Sequence, residues 1–137
     1  MTRTLALLLG AATVVAALDL VHKQRAISEQ GQAVLLHDRP TRYVVAGAAL
    51  SLAWAGAIAL TRSSSIAVPG GIVLGGAAGN LLSFALWPSL PGVPDVMVAG
   101  GLAFSLGDVA VVGGLLLLLP AAVVFALRNR GRLFEPI

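Results

Sequence analysis

Polar side chains are sparse enough in this chain that its apolar runs stand out at once. There are four: residues 4–21, interrupted by Asp19; residues 43–60, with Ser51 as the main polar side chain; residues 66–87; and residues 109–127, with Pro120 inside. Each is near the ~20 residues that carry a helix across roughly 30 Å of hydrocarbon. The pattern predicts four transmembrane helices and an all-α membrane bundle. The connection at 61–65 is short, so the second and third helices are expected to form an antiparallel hairpin. The connection at 22–42 is amphipathic in parts, with Ala33, Val34, Leu35 and Leu36 between polar stretches, and is expected on the outer membrane surface. Residues 88–107 are rich in Pro and Gly and hold one charge, Asp95; Val96, Met97 and Val98 are apolar enough to dip into the interface. Residues 128–137 read as a short cytoplasmic end. No internal repeat is visible.

Composition sharpens the class. Of 137 residues, 58% are hydrophobic and 11% charged, and mean hydropathy is +0.93. A soluble domain of this size needs far more charge on its surface, so residues 1–137 read as one integral membrane domain. Cysteine is absent, which excludes disulfides, thiolate metal sites and a thiol nucleophile on this chain. The net charge of +3 comes from nine basic and six acidic residues. The basic ones gather at the ends of the apolar runs, which suits headgroup anchoring. No basic stripe with interleaved aromatics exists, so nucleic acid is not an expected partner; membrane lipid is.

With the N-terminus inside, Arg3, Arg62, Arg128, Arg130 and Arg132 are cytoplasmic, against Lys23, Arg25, Arg39 and Arg42 outside. Five against four, with three arginines in the tail, favours both termini in the cytoplasm. The first run also has features of a cleaved signal peptide, namely Arg3 and Val15-Ala16-Ala17. It is long for that purpose, and Asp19 with Lys23 fits a retained helix better. High Ala, Val and Gly, with arginine well above lysine, point to a GC-rich bacterial genome.

The third run carries the most informative stretch, Gly75-Gly76-Ala77-Ala78-Gly79-Asn80-Leu81-Leu82-Ser83. Gly71, Gly75 and Gly79 form a ridge at spacing four that lets another helix approach closely, and Gly113-Gly114 is the expected partner. An amide in hydrocarbon has no hydrogen-bond partner in lipid, so Asn80 must face other helices or a wet cavity. Asn80, Ser83 and Trp87 share one helical face. Asp108 opens the fourth run, at about the depth of Ser83, where the helix dipole favours a carboxylate and a helix cap is equally natural. Asp19 and Lys23, four apart, read as an ion pair. His22 and His37 are weak metal candidates, and neither a metal nor a cofactor is expected. A serine hydrolase would need a base beside Ser83; Lys23 is the only lysine, and nothing in the sequence places it there.

Taken together these residues resemble signal peptidase II, the bacterial lipoprotein signal peptidase. The resemblance implies four transmembrane helices in the bacterial cytoplasmic membrane, both termini cytoplasmic. It also implies an aspartic peptidase that cleaves the signal peptide of lipid-modified prolipoproteins just before the lipidated cysteine. Asp19 and Lys23 match the family's first-helix signature. Gly75-Gly76-Ala77-Ala78-Gly79-Asn80 matches its third-helix block, Val93-Pro94-Asp95 is a loose version of its Val-Asp pair, and Phe104-Ser105-Leu106-Gly107-Asp108 matches its last motif at Phe and Asp. Order, spacing and helix count agree over roughly residues 18–119.

The departures are chemical. In this alignment the family's first catalytic aspartate falls on Ser83 and the following arginine on Phe84, and Ser105 and Gly107 replace an asparagine and an alanine. The first outer loop is short and lacks the family's substrate-holding block. An aspartic peptidase needs two carboxylates sharing a proton, and serine cannot act as that base. The expectation is therefore a pseudopeptidase that binds a prolipoprotein or another helical membrane segment between the third and fourth helices. Asn80 and Ser83 would bond the segment's backbone and Asp108 would be a lone anchor, with Asp19, Lys23, Phe104 and Ser105 shaping the binding site. Two alternatives stand beside it: an active peptidase pairing Asp108 with an unconventional partner, such as Asp95 swinging in from its loop, and a helix-packing subunit of a membrane complex.

Overall fold

The computed structural model of the chain describes residues 2–30, 35–38 and 40–131. Four helices, each long and apolar enough to cross a membrane, account for most of it: α1 (Thr2–Gln30), α2 (Thr41–Leu60), α3 (Ser64–Leu86) and α4 (Leu106–Asn129). Four three-residue strands complete the architecture: β1 (Leu35–His37) between α1 and α2, and β2 (Val93–Asp95), β3 (Met97–Ala99) and β4 (Leu102–Phe104) between α3 and α4. The strands were not expected from the sequence. Residues 31–34 and 39, part of the amphipathic connection, and most of the 128–137 tail lie outside the described residues.

The helices outrun the apolar runs that predicted them. α1 was expected to end near residue 21 but continues to Gln30. Hydropathy marks where a helix leaves hydrocarbon, not where it stops. Residues 21–30 hold no Gly or Pro and several good helix formers, and after Gly10 the next glycine is Gly31. At 1.5 Å per residue, α1 is about 43 Å long, roughly 13 Å more than the hydrocarbon needs. α4 runs through Pro120 without a break.

α3 is the central helix and packs on the other three, most extensively on α1 and α4. The glycines decide how. A Cβ on Gly71 would strike the Leu8 carbonyl, one on Gly75 would lie 2.5 Å from the Ala12 carbonyl, and one on Gly79 would lie 2.5 Å from Asp19 Oδ2. The 71/75/79 ridge therefore faces α1, not the expected Gly113-Gly114 of α4. α4 uses the adjacent face, where Gly76 meets the Gly107 carbonyl and a Cβ on Gly114 would sit 2.7 Å from Val73. α2 is held mainly at its end, where Ile58 lies over Gly70 and Trp54 Nε1 donates to the Gly70 carbonyl (3.0 Å). Its other side chains are largely exposed, Leu52 at 76%, as lipid-facing residues must be.

One prediction follows from the ridge. Gly75→Val forces a side chain into the α1 backbone and is expected to destabilise the bundle by about 1–3 kcal/mol, the usual range for overpacking. Gly56→Ala, where a Cβ meets nothing within 4 Å, should be neutral or mildly stabilising. Thermal unfolding in detergent separates the two; equal midpoints would mean that α1 does not seat on this ridge.

The two strand pairs lie at the end of the bundle where α3 stops and α4 starts. β1 pairs antiparallel with β2, with Leu35 opposite Asp95 and His37 opposite Val93, tying the first connection to the third. β3 and β4 form a hairpin closed by Gly100 and Gly101, whose φ values are +60° and +80°. Both positive angles suit the tight two-residue turn that matches strand twist, and glycine adopts them without strain. Because Met97 pairs with Phe104, the chain on either side of the hairpin, Asp95-Val96 and Ser105-Leu106, is brought side by side.

Candidate functional site

Helical spacing places Asp19 and Lys23 on the same inward face of α1, and both are fully buried. The lysine spends all three of its protons there. Nζ donates to Asp19 Oδ2 (2.6 Å), Asn80 Oδ1 (2.7 Å) and Ser83 Oγ (3.2 Å). The other oxygen of Asp19 accepts the Gly107 backbone N–H at 2.7 Å. That amide belongs to the first turn of α4, where N–H groups have no partner within their own helix. A carboxylate on α1 thus caps α4 from outside. Close approach is needed on both sides: a Cβ on Gly107 would come within 2.8 Å of the Gly76 carbonyl and 3.3 Å of Asp19 Cγ.

Asn80 carries the network from α1 to α4. Its Oδ1 accepts from Lys23 and lies 3.1 Å from Ser105 Oγ, while its Nδ2 donates to Asp108 Oδ1 at 2.8 Å. The lysine fixes which end of the amide points where, since only the carbonyl can accept from an ammonium. Asp108 and Ser105 form a reciprocal cap on α4: Ser105 Oγ accepts from the Asp108 N–H (3.3 Å), and Asp108 Oδ2 accepts from the Ser105 N–H (2.9 Å). The Ser105 hydroxyl proton is shared between Asp108 Oδ2, at 3.0 Å, and Asn80 Oδ1. Ser105→Ala is expected to cost about 0.5–2 kcal/mol, the range for losing an N-cap. Hydrogen exchange of the first-turn amides of α4 should rise with it; unchanged protection there would show that Asp19 alone holds the helix start.

Asp108 is also the one member of this network that reaches open space on two sides. A cavity of about 680 Å³ is walled by Asp95, Leu102, Ala103, Phe104, Asp108 and, further along α4, Val109, Val112, Gly113 and Leu116. A second, of about 330 Å³, lies between α2, α3 and α4 and is bordered by Tyr43, Ser51, Asn80, Phe84 and Asp108. Two carboxylates, Asp95 and Asp108, thus front one largely apolar cavity. Asp95 is buried in a paired strand rather than carried on a swinging loop.

The expected site residues divide accordingly. Asn80, Phe104 and Asp108 border cavities. Asp19, Lys23 and Ser105 are enclosed with no exposed area and border neither of these cavities. Ser83 is not placed to face Asp108 across a groove: it is 1% exposed, borders neither cavity that Asp108 fronts, and donates to the Gly79 carbonyl at 2.8 Å. Lys23 does stand beside Ser83, which the sequence alone did not indicate. In this arrangement the lysine faces three acceptors and the serine hydroxyl donates to a carbonyl. Trp87, on the Asn80–Ser83 face, bonds Gln24 of α1 through Nε1 at 3.1 Å. Among the described residues no group of three His, Cys, Asp or Glu side chains converges as metal ligands.

The residue that sequence reasoning did not place beside Asp108 is Asp95. A signal was present: apolar residues on both sides of Gly100-Gly101 are the mark of a two-residue hairpin, and that hairpin is what brings Asp95 to the start of α4. Compared with family models, with curated proteins and with solved structures, the chain matches none.

Proposed function

We propose that this chain is a membrane-embedded aspartic peptidase of the signal peptidase II type, with Asp95 and Asp108 as its acid–base pair. The observation that carries the reading is that both carboxylates wall one largely apolar cavity beside β4 and the first turns of α4. The sequence resemblance keeps one aspartate of the family's pair, Asp108; the reading assigns the second carboxylate to Asp95, on a strand paired with β1.

The chemistry needs only these two groups and water. One carboxylate removes a proton from a water molecule as its oxygen attacks the scissile carbonyl, and the other, protonated, donates to the carbonyl oxygen. The diol so formed collapses, the C–N bond breaks, and the amine leaves with a proton from the carboxyl that accepted one. Asp108, whose two oxygens receive donors from Asn80 and Ser105, is the fixed member of the pair. The substrate class is a peptide with a membrane-embedded segment, with a lipid-modified prolipoprotein as the first candidate.

The proposed orientation puts both termini in the cytoplasm and the cavity at the outer face. Burial of Lys23 in the bundle supports this, since it removes one of the four basic residues counted outside and leaves three against five.

A second reading, binding of such a segment without cleavage, draws on the cap that Asp108 makes with Ser105, a use that needs no chemistry. The two readings part on one experiment: purified chain in detergent is mixed with a diacylglyceryl-modified prolipoprotein and the product is followed by mass. Cleavage lost in Asp95→Asn supports the peptidase. An inert native chain that still retains the substrate supports the binding protein.

A further inference from the structure

We infer that the smaller cavity, between α2, α3 and α4, is a water-filled recess that brings water to Asp108 from a second side, with Ser51 as its inner anchor. Water in the recess is argued from α2 and α3 alone; its use in hydrolysis rests on the peptidase reading.

The recess starts at the rim of the bundle and runs deep. Tyr43, Gly47 and Ser51 border it from α2 at a spacing of four, which places them on one helical face. Tyr43 lies in the first turn of α2 and is 58% exposed. Ser51 is ten residues after Thr41, about 15 Å along the helix and midway through the hydrocarbon. Between the two, Gly47 has no side chain to close the way.

Two polar groups on the recess are not met by protein. Ser28 and Ser83 return their hydroxyl protons to the carbonyl four residues back, at 2.9 and 2.8 Å, a common resort of serine in a helix. Ser51, half-buried, does not, and its Oγ has no hydrogen-bond partner among the described residues. Asn80, 5% exposed, gives one Nδ2 proton to Asp108, and the other has no acceptor among the described residues. An acyl tail in the recess offers these groups nothing. Water accepts from the amide, exchanges bonds with the hydroxyl and reaches the Asp108 carboxylate, which gives it the two to four polar partners an internal water needs. At about 30 Å³ per molecule in the liquid, a cavity of about 330 Å³ has room for a cluster. The next cavity along α2, about 300 Å³, shares Ser51 and adds only Trp54 as a polar side chain, whose Nε1 is committed to the Gly70 carbonyl. The polar lining therefore ends at Ser51.

In the peptidase reading, a membrane segment bound in the larger cavity covers the carboxylates on that side. Asp108 borders both cavities, so water in the recess stays within reach of the pair while the segment is in place.

The chain has no cysteine, so a single one reports on water at its own position. Ser51→Cys and Leu52→Cys are made in the full chain, placed in lipid nanodiscs and treated with a cationic methanethiosulfonate. Only the thiolate reacts, displacing methanesulfinate and forming a disulfide with the reagent's thiol, and a thiolate forms in water rather than in hydrocarbon. Leu52, 76% exposed and facing lipid, is the dry reference at nearly the same depth. Ser51→Cys is expected to react at least about tenfold faster than Leu52→Cys. Adding Gly47→Leu, which plugs the path, should bring it down to the Leu52→Cys rate. Equal rates at 51 and 52 overturn the inference and leave an acyl tail as the occupant.

Turnover is the second arm. Ser51→Val should lower kcat for a diacylglyceryl-modified prolipoprotein about tenfold with KM unchanged, the worth of one hydrogen bond to the water. Ser51→Thr keeps the hydroxyl and should restore the rate. If Ser51→Cys reacts fast and Ser51→Val keeps its kcat, the supply of water to the reaction is overturned. If the native chain cuts nothing while Ser51→Cys still outpaces Leu52→Cys, the wet recess stands and the peptidase reading falls.

Discussion

Asp95→Asn and Asp108→Asn should each abolish cleavage of a lipid-modified prolipoprotein to within a few parts per thousand of the native rate, while Ser83→Ala retains most of it. The size follows from the mechanism. General acid–base catalysis by one positioned group contributes on the order of 10²–10⁴-fold, and the members of a pair that shares one proton act as a unit. The double variant should therefore be little worse than either single. Ser83 enters the argument as the contrast. It lies behind Asn80, bonded to Lys23 and to Gly79, and fronts neither cavity that Asp108 reaches. A shared proton also fixes the form of the pH profile. Rate falls on the acid side, where the base is protonated, and on the alkaline side, where neither carboxyl holds a proton to donate. If Ser83→Ala is as damaging as Asp95→Asn, the pair has been misassigned. If Ser83→Asp creates activity in an otherwise inert chain, the site of hydrolysis is at position 83 and Asp95 is a structural acid.

Folding of the two carboxylates should be intact in these variants, which makes the experiment interpretable. Asn at 108 keeps an oxygen to accept from Asn80 or from the Ser105 N–H, and asparagine serves nearly as well as aspartate in local backbone capping. Asn at 95 keeps volume, removes the charge and replaces one acceptor oxygen by an amide NH2. Circular dichroism in detergent should be unchanged for both.

The apolar pattern of the chain was a reliable guide to the bundle because lipid removes the alternatives: a segment in hydrocarbon must satisfy its backbone internally, and a helix does so with no partner. The same simplicity hides helix ends and helix partners. α1 passes residue 21 because nothing in residues 21–30 stops a helix, and hydropathy has no term for that. The glycine ridge at 71, 75 and 79 was legible as a contact surface, but with both α1 and α4 available the spacing could not say which. The Cβ positions resolve it, with Leu8, Ala12 and Asp19 of α1 on one side and Gly107 and Gly114 of α4 on the other. The polar residues were visible one by one as anomalies in apolar runs. Their grouping was not, since Lys23 and Asn80 are 57 positions apart and meet only when α1 and α3 pack. Asp95 was hardest to weigh from sequence, because its value depends on three-residue strands that mean little until two connections pair.

The buried charge network predicts the largest effect on stability. Lys23→Met should destabilise the protein by about 3–5 kcal/mol, the range for removing one partner of a buried ion pair. The methionine fills similar space, so the loss is electrostatic rather than a cavity. Asp19 is left fully buried with one amide donor, from Gly107, and the Asn80 carbonyl and the Ser83 hydroxyl oxygen each lose a donor. The double variant Asp19→Asn with Lys23→Met should be clearly more stable than Lys23→Met alone. Removing both charges withdraws the uncompensated carboxylate, and the asparagine oxygen can still accept from Gly107. Unfolding of the four proteins in detergent gives the coupling directly, and additivity within about 0.5 kcal/mol would show that the two side chains are not paired in the membrane. Activity adds a second readout. Lys23 holds the Asn80 carbonyl toward α1 and so leaves the amide N–H for Asp108. Without that constraint the Asn80 carbonyl keeps only the Ser105 hydroxyl as a donor, and the amide is held less firmly against Asp108. The double variant should then recover stability without recovering kcat, with KM little changed. Recovery of both together would reduce Lys23 to a structural ion and leave Asp108 aligned by its own helix cap.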